Sequence, residues 1–303
     1  MLVIYAHLTF IQSPDTKPDN KLGQHDWNTG DRNFRFFPTL LRWDSDMGPD
    51  TMILQGGTNL CGIVIGILCL ETYYGRPPGH IRNASTFRFP VMYRIVKGAT
   101  AMRVVKEADP ALLDPFIKSA QKLEQEGVMA ITGSCGFLAL FQDELADSVN
   151  IPVFTSSLIQ IPMVYRMLHR NQKVGILTAS KRTLTEAHLK SVGAETVPVC
   201  VAGMDDQKEF CEVVIEGRRN ELNVGRLGEE VLTVVQRMAE DHPEMGALVI
   251  ECTDLPPFAH LIQEKIRVPV FDIVTLTNMV YETLMRTPYQ GILPRRIDDR
   301  RSL

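Results

Sequence analysis

Apolar residues fall along this chain in two recurring patterns. Short continuous runs at 61–70, 92–96, 173–178 and 195–201 read as strands covered on both faces, as in a parallel sheet. Elsewhere apolar residues return every three or four positions. Leu112, Leu113, Phe116, Ile117, Ala120 and Leu123 mark one face of a helix over 110–126. Further helices are expected over 158–169, 205–216, 226–240 and 273–284. Strands alternating with helices predict an α/β fold with parallel sheets.

The pattern repeats. Residues 130–154, AITGSCGFLALFQDELADSVNIPVF, align without a gap on residues 247–271, ALVIECTDLPPFAHLIQEKIRVPVF, at an offset of 117. Seven of the 25 positions are identical, among them Cys135/Cys252 and the closing Pro-Val-Phe. Each copy reads as a short apolar strand, a cysteine at its carboxyl end, an amphipathic helix and a second strand. Chance similarity between two such units accounts poorly for the unbroken register and the matched cysteines, so duplication of a strand–helix–strand unit is expected.

In an open parallel sheet, ligands bind beyond the carboxyl ends of the strands. Both repeated cysteines fall there, each just ahead of a helix start whose free N–H groups favour negative charge. A thiol so placed can titrate well below ~8.5 and act as a base or nucleophile. Cys61, Cys69, Cys200 and Cys211 lie in apolar or helical runs and read as buried cysteines without such a role.

The motifs GSCGF at 133–137 and ECTDLPP at 251–257 resemble the two cysteine motifs of the aspartate/glutamate racemase superfamily. That group includes hydantoin racemases, arylmalonate decarboxylases and maleate isomerases. The resemblance runs from 52 to about 288, and GILCLETYYGRPPGHIRNASTFRFPVMYRIVKGA at 66–99 is similar to the opening of one branch. It implies two similar flavodoxin-like, parallel-sheet domains with the active site in the cleft between them. It also implies a cofactor-independent racemase or epimerase, an isomerase of amino acid metabolism. Cys135 and Cys252 would be its acid and base at a carbon α to a carboxylate of an amino acid or hydantoin. The chain departs from the family pattern twice: Gly136 stands where Asn is usual, and Glu251 where Gly is usual.

An arylmalonate-type decarboxylase or a maleate-type cis–trans isomerase is the alternative on the same scaffold. A non-catalytic carboxylate-binding protein is the alternative from another class. Backbone and side-chain donors around Ser134, Gly136, Phe137, Thr178, Ser180, Thr253 and Asp254 are expected to hold substrate. Ser180 also reads as a plain helix N-cap, and Asp254 as a cap of the helix after Cys252. Arg76 and Arg82 lie in a Gly/Pro-rich loop expected to cover the site, where either could meet a carboxylate.

Composition narrows the picture further. The chain has 303 residues, 45% hydrophobic and 22% charged, which is globular. A net charge of −4 carries no footprint for nucleic acid. Six cysteines without CxxC spacing indicate neither a zinc site nor a disulfide scaffold, and free thiols suit a cytoplasmic location. No cofactor, metal or membrane span is indicated, and a homodimer is expected as the oligomer. The expected organisation is a poorly ordered extension over 1–51, with Trp27 and Trp43, and a first α/β domain over 52–171. A second domain follows over 172–272, then a helix at 273–289 returning to the first domain, and a charged tail over 290–303.

Overall fold

Two four-stranded parallel sheets form the framework, with helices packed against them. The computed structural model describes residues 60–289 together with Gly57 and Gly291. The expectations for 1–51, for a start at Met52 and for the tail beyond Gly291 fall outside the described residues.

The first sheet contains β1 (Ile65–Cys69), β2 (Val91–Ile95), β3 (Ala130–Gly133) and β4 (Val153–Phe154). Against it pack α1 (Leu113–Gln125) and α2 (Gln142–Asp147), while α3 (Ile161–Met167) places Ile161 and Val164 against the second sheet. The second sheet contains β5 (Lys173–Thr178), β6 (Val199–Gly203), β7 (Met245–Ile250) and β8 (Val270–Phe271). Around it lie α4 (Glu186–Lys190), α5 (Lys208–Phe210), α6 (Val224–Asp241) and α7 (Ala259–Ile266), and α8 (Ile273–Leu284) follows.

The strand orders are β2-β1-β3-β4 and β6-β5-β7-β8, the same arrangement twice. The repeat carries through to the register. Ile131 pairs with Val153 and Thr132 with Phe154, while Leu248 pairs with Val270 and Val249 with Phe271, each shifted by the same 117 residues. The Ile131 N–H donates to the Pro152 carbonyl, and the Leu248 N–H to the Pro269 carbonyl, both at 2.9 Å. Matched sequence therefore produces matched hydrogen bonding, and places both cysteines just past equivalent strand ends.

All these elements lie in one compact unit. The α1 face predicted from spacing is the buried one: Phe116, Ala120 and Leu123 are inaccessible. α8 follows the last strand of the second sheet but packs on the first, with Ile273 and Leu276 in one apolar cluster with Ile65, Ile67 and Ala130. Asp272 starts it: its Oδ1 accepts from the Thr275 N–H at 2.7 Å, an N-cap worth about 1 kcal/mol.

The structure differs from the expected elements in four places. β6 begins at Val199 rather than 195, because Pro198 has no N–H to give the ladder. The expected helix 205–216 is only the short α5, followed by a wide π-type turn at Cys211–Ile215. No helix follows Ser180 directly; the chain turns and α4 starts at Glu186, capped by Thr185. Cys61 is exposed, not buried, because β1 begins only at Ile65.

Candidate active site

Cys135 sits two residues past β3, in extended conformation at the start of a 3-10 turn over Gly136–Phe141. Cys252 sits two residues past β7. Both are buried and both line one cavity between the strand ends of the two sheets. The Leu138 N–H donates to the Cys135 carbonyl at 3.1 Å, and the Leu255 N–H to the Cys252 carbonyl at 3.2 Å, so the two turns are copies as well.

The expectation of lowered thiol pKa values is reversed. Burial pushes both thiols well above the usual range, outweighing the backbone donors. Carboxylates add to the shift, chiefly Glu251 at Cys135 and Asp254 at Cys252. The N–H groups of Phe137 and Leu138 favour the Cys135 thiolate, whereas Cys252 has only the Asp254 N–H. The Cys252 thiol also points at Asp254 Oδ2, 3.6 Å away, as a weak donor.

The two carboxylates differ in environment. Burial alone would raise Asp254, but His80, Tyr74 and Arg76 outweigh it and hold the group below the usual carboxylate range. The Tyr74 hydroxyl donates to Oδ1 at 2.5 Å, and His80 Nε2 lies 2.8 Å from the same oxygen. His80 Nδ1 accepts from the Arg82 backbone N–H at 2.9 Å, which leaves Nε2 as the donor to Asp254. Asp254 is thus tied to the loop covering the site and does not cap the helix after Cys252: residue Leu255 holds the cap position, without a side-chain bond.

Glu251 is fully buried and its side chain turns into the site. Its Oε2 accepts from the Thr178 hydroxyl at 2.7 Å and the Ala179 N–H at 3.1 Å. Its Oε1 has no hydrogen-bond partner among the described residues. Desolvation raises this carboxyl from 4.5 to about 7. A Cβ on Gly136 would collide with both the Glu251 carboxylate and its backbone carbonyl. The two departures from the family motifs therefore meet in space: Gly136 gives the room that Glu251 fills.

Of the other residues expected to bind substrate, Ser134, Gly136, Thr253 and Asp254 line the cavity, while Phe137, Thr178 and Ser180 do not. Several are engaged in fixing the two halves together. The Thr253 hydroxyl donates to the Ser134 carbonyl at 2.7 Å, and Ser134 Oγ accepts from the Leu70 N–H at 3.1 Å. Ser180 donates to Asp205 at 2.5 Å and accepts from Lys106 Nζ at 3.0 Å. Phe137 packs edge-on against the His188 ring, centroids 4.7 Å apart.

The loop after β1 supplies what sequence reasoning missed: Thr72, Tyr74 and His80 line the cavity beside Arg82. The signal was the loop's expected place over the site, but only its arginines were singled out. Arg82 Nη1 donates to Thr72 Oγ1 at 2.7 Å, and Arg76 Nη2 reaches the same oxygen at 2.6 Å. Two cations converge there without a carboxylate partner among the described residues. Gly79, at φ 95°, closes the loop onto the second half, where a Cβ would lie 2.8 Å from Pro257 Cα. The cavity beneath measures about 20 Å³, the space of roughly one water molecule. No group of side chains suited to a metal ion occurs among the described residues, and no described helix is long and apolar enough to cross a membrane. All six cysteines are free thiols.

Comparison with known proteins adds the following. Residues 100–278 match the model of the Asp/Glu/hydantoin racemase family. Dimethylsulfoniopropionate lyase 7 of Emiliania huxleyi is 30% identical over 239 residues, covering 75% of this chain and 69% of that protein. Dimethylsulfoniopropionate lyase 3 of the same organism is also 30% identical over 239 residues, and there the chain spans 61% of the relative's length. A dimethylsulfoniopropionate lyase of Durusdinium sp. clade D is 27% identical over 235 residues, 75% of this chain and 77% of that one. Among solved structures, a glycine-to-cysteine mutant of arylmalonate decarboxylase with sulfate superposes with a TM-score of 0.50 at 14% identity. It covers 73% of this chain and 92% of that one, a likeness of fold alone.

These relatives correct the expected activity. A racemase or epimerase, an isomerase of amino acid metabolism, does not fit relatives that are lyases. A lyase removes a group and leaves a double bond; it has no need to return a proton to the opposite face. Of the expected chemistries, the decarboxylase alternative stands nearer, since a decarboxylase is itself a lyase.

Proposed function

Because the chain belongs to the Asp/Glu/hydantoin racemase family, and its relatives of about 30% identity are lyases, we propose that it is a carbon–sulfur lyase acting on dimethylsulfoniopropionate. The observation carrying this reading is a buried thiol pair and an unneutralised arginine around one cavity at the strand ends.

In the proposed reaction the Cys135 thiolate takes a proton from the carbon α to the substrate carboxylate. The C–H electrons form the new carbon–carbon double bond. The carbon–sulfur bond breaks, and its electron pair leaves with sulfur as neutral dimethyl sulfide. Acrylate remains, and Cys135 is left as the thiol, which returns its proton to solvent. Arg82 meets the substrate carboxylate, where it withdraws the charge that builds up during proton abstraction. Cys135 is the base because the Phe137 and Leu138 N–H groups support its thiolate. Cys252 stays protonated, its S–H directed at Asp254.

The raised thiol pKa supports this role. An α-proton beside a carboxylate is very weakly acidic, and a desolvated thiolate is a stronger base than an exposed one. No prosthetic group enters the sequence of steps.

The test is direct. Purified protein incubated with dimethylsulfoniopropionate is expected to release dimethyl sulfide and acrylate in equal amounts, read by headspace gas chromatography and proton NMR. Cys135→Ala is expected to lower kcat by about 10²–10⁴-fold, the usual contribution of a positioned base, and Cys252→Ala by less. No dimethyl sulfide from the wild type, or an undiminished rate in Cys135→Ala, would refute the assignment.

A further inference from the structure

The charged groups lining the cavity are not equally satisfied. Asp254 has two donors from the covering loop on one oxygen and the Cys252 thiol near the other. Arg82 is bonded to Thr72. Glu251 differs: one oxygen is held by Thr178 and Ala179, and the other is buried with no partner among the described residues. The residue is inaccessible, so solvent does not satisfy that oxygen. An unpaired carboxylate oxygen at such a place is costly unless something else meets it.

No basic side chain of the described residues does so. The neighbours that Glu251 feels are Asp254, Cys135 and Cys252, every one of them neutral or negative. A hydrogen-bond donor in a ligand would serve, and so would a fixed positive charge.

We propose that Glu251 is the specificity-determining residue that recognises the cationic end of the substrate, making this a site for sulfonio- or ammonio-carboxylate zwitterions. The assignment rests on the lyase reading for its natural substrate. The zwitterion spans two poles, its carboxylate towards Arg82 and its onium group towards Glu251, with the carbon to be deprotonated between them beside Cys135. An onium group bears no N–H or O–H, so a bare carboxylate oxygen suits it, whereas a donor-saturated one such as Asp254 Oδ1 does not. The positive charge disappears as sulfur leaves. Glu251 therefore stabilises the bound substrate more than the transition state, and its contribution falls on binding.

Two ligands of equal shape separate charge from volume: 3-(trimethylammonio)propanoate and its carbon isostere 4,4-dimethylpentanoate. Neither has a sulfonium leaving group. Isothermal titration of the wild type is expected to favour the ammonium compound. Glu251→Gln is isosteric and keeps an oxygen for Thr178 and Ala179. It is expected to lose that preference by about tenfold or more, the scale of a desolvated charge pair. With dimethylsulfoniopropionate, KM rises by a similar factor and kcat does not fall.

The wild type offers a second readout that needs no variant. Its preference for the ammonium ligand should be larger at pH 8, with Glu251 ionised, than at pH 5.5, while Asp254 stays ionised at both. A preference that survives in Glu251→Gln, or disappears in Asp254→Asn but not in Glu251→Gln, overturns the assignment. So does a fall in kcat at unchanged KM, which would make Glu251 a proton-transfer group instead. If the wild type discriminates the two ligands but releases no dimethyl sulfide, the lyase reading fails and the assignment of Glu251 stands.

Discussion

Gly136→Ala tests how closely the two halves meet. A Cβ at 136 would lie 2.8 Å from the Glu251 carboxyl carbon and nearer still to its Oε1 and backbone carbonyl oxygen. The side-chain part of this clash is soft, because Glu251 can turn. The carbonyl part is hard: the residue's own N–H is held by the Leu177 carbonyl at 2.8 Å, so the strand end cannot retreat without breaking the ladder. Overpacking of this kind costs about 1–3 kcal/mol. For a body of this size each kcal/mol lowers Tm by about 2–4 °C, so a fall of about 2–12 °C is expected. Glu251→Gly, added to Gly136→Ala, removes the soft part and leaves the hard one. The double mutant should regain part of the loss, with a coupling of about 0.5–2 kcal/mol in a double-mutant cycle followed by urea unfolding. Strict additivity of the two substitutions would show that 136 and 251 do not compete for one space. Full recovery would show that the carbonyl contact is not a constraint. A wild-type Tm in Gly136→Ala alone would refute the close approach altogether.

Three further outcomes follow from the electrostatics of the site. Glu251 binds its proton more tightly folded, at about 7, than unfolded, at 4.5, so its own contribution to stability is full below 4.5 and is lost as pH rises through 7. That loss amounts to about 3 kcal/mol, and Glu251→Gln should flatten it; an unchanged pH–stability curve in the variant would place the titration elsewhere. Iodoacetamide at pH 7 should modify the exposed Cys61 well before Cys135 or Cys252, because burial disfavours both thiolates; rapid labelling of either buried thiol, followed by peptide mass spectrometry, would contradict their raised pKa values. A cationic substrate should draw out the Cys135 thiolate, so the acid limb of kcat should lie at lower pH than that of kcat/KM; coincident limbs would argue against charge coupling between substrate and thiol.

How far the site could be read in advance depended on whether the relevant signal was local. The repeat of 130–154 at 247–271 is a local pattern, and it carried both cysteines to matched strand ends with matched register. The face of α1 and the start of α8 were also local and were legible in the spacing of apolar residues, although α8 stops at Leu284, short of 289. What escaped was long-range. The pairing of Tyr74 and His80 with Asp254 joins residues 180 and 174 positions apart, and no periodicity announces it. The thiol pKa values failed for the same reason. The helix-start setting is visible in sequence and lowers a pKa, whereas the burial that outweighs it exists only once two sheets close over one cavity. Glu251 read as a departure from a motif; its meaning lies in Gly136, on the other half of the molecule.

The same geometry explains why a scaffold with two opposed thiols can serve an elimination. Inversion at a carbon needs both faces served, one group deprotonated and the other protonated. Elimination needs one base, and its second requirement is a leaving group that departs without its charge. Here the two thiols are no longer equivalent: Cys135 has two backbone donors for its thiolate, and Cys252 is committed to Asp254. Asp254 is in turn held by Tyr74 and His80 of the loop that covers the cavity, so the Cys252 thiol is tied through Asp254 to that loop. An unligated cavity with Glu251 and Asp254 beside both sulfurs disfavours a thiolate at either. In the proposed reaction, entry of a zwitterion whose cationic end sits among these groups would reverse that balance, and only while the substrate is present. The base would then form where and when its proton is offered, and the charge that called it forth would be neutralised as the carbon–sulfur bond breaks.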